Sequence, residues 1–74
     1  MTMYLGPYIP GIVKHNQIFN YEPTEIIAKA VEKSAFSKYL FVDLDGIAEH
    51  KRQLKTPGNL LYVANEKVFK EIWT

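Results

Sequence analysis

The chain has no cysteine among its 74 residues, which removes disulfides and thiolate zinc sites and favours a reducing compartment. Its two histidines, His15 and His50, lie far apart in sequence, and neither a metal nor a cofactor is expected. No apolar run approaches the roughly 18 residues that mark a membrane span, so no membrane partner is expected. A basic segment followed by an apolar one, the mark of a signal peptide, is missing as well, and the cytoplasm is the expected location. Charge of one sign is also lacking. Nine Lys and Arg against eight Asp and Glu leave a net charge of +1, too little for a field over the whole molecule. Before Glu22 the only formal charge is Lys14.

Aromatic residues are present instead, at Tyr4, Tyr8, Phe19, Tyr21, Phe36, Tyr39, Phe41, Tyr62, Phe69 and Trp73. Each removes a large area from water when buried, so even a short chain can build a core from them. The length allows one domain, residues 1–74, and a domain this small is marginal without a staple. With disulfides and metals set aside, oligomerisation is the staple that remains.

Residues 3–21 read as extended, with Pro10-Gly11 suited to the centre of a type II turn. A second turn at residues 15–17 returns the chain along residues 18–21, giving an N-terminal hairpin with irregular arms. Pro7 and Pro10 lack ladder donors and mark an edge or a bulge. Residues 24–34 form a helix, capped by Thr24, with Ile26, Ile27, Ala30 and Val31 on one face. Residues 39–44 read as a core strand, Asp45 as the cap of a helix over 47–54, and Thr56-Pro57-Gly58-Asn59 as a turn. Residues 60–64 read as a further short strand. Asn65 then caps a last helix over 66–73, whose apolar face is Val68, Phe69, Ile72 and Trp73.

The order of segments implies an α+β fold: an N-terminal β-hairpin, a small mixed or antiparallel sheet of three or four strands, and two or three helices packed on one face. The expected core is Leu5, Ile18, Phe19, Ile27, Ala30, Val31, Phe36, Leu40, Val42, Leu61, Phe69 and Ile72.

Chemistry is sparse. Phe41-Val42-Asp43-Leu44-Asp45-Gly46 resembles the first motif of the haloacid-dehalogenase-like phosphatases, an apolar strand ending in Asp-x-Asp-Gly. That resemblance would make Asp43 the nucleophile and Asp45 the acid/base. The family pattern continues with Thr where this chain has Ile47, and it needs a large sheet carrying further catalytic groups. Seventy-four residues cannot supply one, so the motif reads as a strand end and turn. Ser34, Ser37 and the threonines have no base at a defensible spacing, and an enzyme is not expected. His50, Lys51, Arg52 and Lys55 form the only basic cluster. They make nucleic acid the alternative partner, although Glu49 sits among them and the chain carries no strong basic stripe.

The aromatic, almost uncharged start of the chain has interface composition. Tyr4, Tyr8, Ile12, Phe19 and Tyr21 are the expected protein-interface residues, for a second copy or another protein. The layout over residues 3–44, a Gly-containing hairpin, then Tyr21-Glu22-Pro23 leading into a helix, then Phe36 and a strand, resembles small proteins of tailed phages and prophages. Mu-like prophage proteins and head-tail or tail-assembly components are examples. The resemblance implies a non-enzymatic part that works by assembly, in the cytoplasm or on a virion.

Overall fold

A computed structural model of the chain describes residues 1–73. The elements run β1 (Thr2–Tyr4), β2 (Ile18–Phe19), α1 (Thr24–Lys33), a 3-10 helix (Ala35–Leu40), β3 (Phe41–Asp43), α2 (Ile47–Leu54) and α3 (Leu60–Trp73). The strands form one antiparallel sheet in the order β2-β1-β3. Thr2 faces Phe19 on one side and Asp43 on the other. The fold is therefore α+β, with a radius of gyration of 11.2 Å, close to the value expected of a globule this long.

The hairpin between β1 and β2 is long and folded back on itself. Ile9 and Val13 exchange backbone hydrogen bonds of 2.9 and 3.1 Å, and the Ile12 N–H donates to the Ile9 carbonyl at 3.0 Å. Gly11 takes φ +77°, the value that the third position of a type II turn requires and that glycine accepts without strain. Asn16 makes the second turn at φ 62°, and its N–H donates to the Tyr4 carbonyl at 2.8 Å. This nested loop carries Ile9 and Val13 into the core, where both are fully enclosed.

One hydrophobic cluster joins Tyr4, Ile9, Val13, Phe19, Ala30, Leu40, Ala64 and Val68. Full burial of each large side chain contributes about 1.5–3 kcal/mol before the entropy of ordering the chain is counted. The 3-10 helix lies at its centre, packing against both α1 and α3. The Leu5 N–H reaches the Leu40 carbonyl at 2.9 Å and fastens the hairpin to that helix.

Several expectations are corrected. Residues 60–64 are the first turns of α3, not a strand, because a short apolar run between turn signals fits a buried helix equally well. The cap is therefore Asn59, whose Oδ1 accepts the Leu61 N–H at 3.0 Å, and not Asn65. Thr24 is the first residue of α1 rather than its cap, and Gly46, not Asp45, precedes α2. Residues 39 and 40 close the 3-10 helix, so the strand begins at Phe41. In the core, Ile18 and Phe69 are exposed. Successive strand residues point to opposite faces, so with Phe19 inside, Ile18 must point out. On α3, Leu61, Ala64 and Val68 hold the buried face, which turns Phe69 away by one helical step.

Candidate functional site

Of the five interface residues expected from the sequence, two are withdrawn into the core. Tyr4 has no exposed surface; its ring lies 4.8 Å from that of Phe41, and its hydroxyl donates to the Pro7 carbonyl at 2.8 Å. Burial pushes the Tyr4 phenol well above its ordinary pKa, since the charged form would be desolvated. Phe19 is likewise buried. Ile12 is half-buried against the cluster. Only Tyr8 and Tyr21 present large surfaces, and they do so with different neighbours. Tyr21 meets Phe19 edge to face at 5.9 Å, whereas Tyr8 lies 6.1 Å from Trp73.

That second contact defines the candidate site. The Trp73 indole N–H donates to the Tyr8 carbonyl at 2.9 Å, so the irregular loop of the hairpin is fixed to the last turn of α3. Phe69 stands one turn earlier on the same side of α3, as the i, i+4 spacing requires. Tyr8, Trp73 and Phe69 remain 44, 47 and 52 % exposed. Beside them Ile9, Pro10, Lys33, Glu71 and Ile72 line a shallow hollow of about 300 Å³. Ser34 Oγ donates to a Glu71 carboxylate oxygen, which ties the end of α1 to α3. The surface thus combines half-exposed aromatic rings with one charged side chain of each sign. Sequence reasoning counted Phe69 as core and placed Trp73 on the apolar face of the last helix. The signal that finds them is the helix frame set by Asn59, which leaves both off the buried face.

The basic cluster on α2 is divided. Arg52 Nε donates to Glu49 Oε2 at 2.7 Å, and its Nη2 pairs with the other Glu49 oxygen. These hydrogen bonds hold the Glu49 carboxyl below its ordinary pKa and raise that of Arg52. His50 is half-buried, and its Nδ1 is enclosed without a hydrogen-bond partner. Lys51 and Lys55 instead converge with His15 and Asn16 of the hairpin around a separate hollow. Asp43 serves the backbone: its Oδ1 accepts the Asp45 N–H at 3.0 Å and shapes the turn into α2. Among the described residues no group of three or more His, Asp or Glu is placed to hold a metal ion, and no helix is long and apolar enough to cross a membrane.

The chain matches no protein-family model, and no significant match to it appears among curated proteins or solved structures.

Proposed function

We propose that this chain is a non-enzymatic interaction protein that docks onto protein, and first of all onto a second copy of itself, through Tyr8, Phe69 and Trp73. The observation that carries this reading is a set of three aromatic rings, each about half exposed, in which a hydrogen bond to the Tyr8 carbonyl and a ring contact join Trp73 to Tyr8, and Phe69 stands one turn earlier on α3. Tyrosine and tryptophan anchors dominate binding energy at interface centres, and here the Trp73 indole is held in place by its hydrogen bond to the Tyr8 carbonyl. Lys33 and Glu71 in the neighbouring hollow give the surface the mixed charge that a two-fold related copy can satisfy reciprocally. An assembly part of a tailed phage or prophage, in the cytoplasm or on a virion, is the form of this function that the layout over residues 3–44 supports.

Light scattering over a wide concentration range tests the reading. A dimer or larger assembly that becomes a folded monomer in Phe69→Lys is the expected result; Phe69 is chosen because its loss does not disturb the core. A wild-type monomer at every concentration would refute self-association. The nucleic-acid reading built on His50, Lys51, Arg52 and Lys55 has weaker support, because Arg52 is engaged by Glu49 and His50 is partly enclosed.

A further inference from the structure

The hollow between the hairpin and α2 has a character unlike the aromatic surface. It is lined by Leu5, His15, Asn16, Lys51, Leu54 and Lys55 and encloses about 170 Å³. No carboxylate contributes to it. Lys51 on α2 and Lys55, the residue that closes the helix, are spaced i, i+4, at which like charges repel, and among the described residues neither makes an ion pair. The nearest acid in sequence, Glu49, is occupied by Arg52.

The third polar wall is positioned by the backbone. His15 Nδ1 lies 2.9 Å from the Gly6 carbonyl. A carbonyl oxygen only accepts, so Nδ1 must carry the proton, and Nε2 is the nitrogen left to serve a ligand. Asn16 is fixed by the bond from its N–H to the Tyr4 carbonyl, which leaves its side-chain amide as a further donor. Leu5 and Leu54 supply the apolar part of the lining. Two ammonium groups, an imidazole and an amide around an apolar patch form a complement to an oxyanion attached to a small carbon group.

We infer that this hollow binds a phosphate group carried by a small phosphomonoester, with Lys51 and Lys55 supplying the charge. Size sets the class. Its volume is about five to six times the roughly 30 Å³ share of one water molecule, enough for a phosphate and a few carbons. It is below the roughly 300–1,000 Å³ of pockets that enclose drug-sized ligands, which excludes burial of a whole nucleotide. This site is independent of the protein-docking surface, as the two share no residue.

Two-dimensional ¹⁵N NMR titrations with inorganic phosphate and with phenyl phosphate, at ionic strength held constant with chloride, test the inference. Saturable shifts confined to His15, Asn16, Lys51, Lys55 and their neighbours are expected, with phenyl phosphate binding more tightly through the leucines. Lys51→Gln and Lys55→Gln should each weaken binding by about tenfold, the equivalent of one charge-assisted contact. Lys29→Gln on the exposed side of α1 should change nothing. All three substitutions replace exposed side chains, so folding is retained. Linear shifts that chloride reproduces would overturn the proposal, as would equal losses in Lys29→Gln. Binding of a short single-stranded oligonucleotide with no response to either phosphate probe would also overturn it.

Discussion

Trp73 and the backbone of Tyr8 are joined by a 2.9 Å hydrogen bond across 65 residues of chain. The ring contact between the two side chains adds to it, at a centroid distance of 6.1 Å. Both rings are only half covered, so the bond contributes less than a fully buried one. Trp73→Phe, which keeps an aromatic ring and loses the donor, should cost about 0.5–1 kcal/mol in urea unfolding. Trp73→Ala should cost more, by roughly another 1 kcal/mol of lost apolar contact. As the only tryptophan, its fluorescence reports on this junction, and Tyr8→Ala should alter its emission in the folded protein.

Gly6 is set by close approach. A Cβ built there would meet the Tyr4 hydroxyl oxygen at 2.5 Å and Leu40 Cδ1 at 2.6 Å, and both neighbours are fully buried. Neither can move without opening the core. Gly6→Ala should therefore destabilise by about 2–3 kcal/mol through overpacking, seen as a lowered Tm by circular dichroism. Gly11, which has nothing within 4 Å, should respond through its positive φ alone and cost less when replaced by Asn.

Alkaline pH should weaken the fold through Tyr4. Its phenol is raised by burial, so the folded state keeps a proton that the unfolded chain releases near the ordinary tyrosine value of about 10. Stability is then flat below that pH and falls as pH rises above it. Tyr62 adds to the slope, because its hydrogen bond with Glu66 also raises its pKa. In Tyr4→Phe the alkaline decline should be shallower, while stability at neutral pH drops by about 1 kcal/mol as Pro7 loses its donor. Urea midpoints measured from pH 7 to 11 decide this; an unchanged slope in Tyr4→Phe would exclude Tyr4 as its source.

Ser37 presents the opposite case. It is fully buried in the 3-10 helix, and its hydroxyl has no hydrogen-bond partner. An unsatisfied buried hydroxyl costs free energy that an alanine methyl does not. Ser37→Ala should leave stability unchanged or raise it by up to about 1 kcal/mol. A loss of more than 1 kcal/mol in thermal melts would show that the hydroxyl is satisfied in solution.

Much of the local structure was legible in the sequence because it rests on local chemistry. The Pro10-Gly11 and Thr56-Pro57-Gly58-Asn59 turns and the bounds of α2 follow from residues a few positions apart. Val68 and Phe69, adjacent apolar residues, show where that legibility ends. Which of them enters the core depends on the helical frame, and the frame depends on a start at Leu60 rather than at residue 66. Tyr4 shows the same limit for the site. Its composition suits an interface and a core equally, and only the nested loop through Gly6 and Ile9 decides that its hydroxyl turns inward to Pro7. Lys51 and Lys55 were legible as part of a basic cluster, but their convergence with His15 was not, since it joins segments brought together by tertiary packing alone.

The sheet order also sets an order of events. β1 lies between its two partners, and these arrive at very different points along the chain. Pairing with β2 closes a loop of about 17 residues, whereas pairing with β3 closes about 40, an added entropic cost of roughly 0.8 kcal/mol. The first pairing is thus kinetically favoured, yet two strands of this length alone are marginal. They hold only when residues 41–43 cover the second edge of β1 and the 3-10 helix seats Leu40 beside Leu5. A nascent chain released before that point would carry an open apolar strand edge, the template on which aggregation begins.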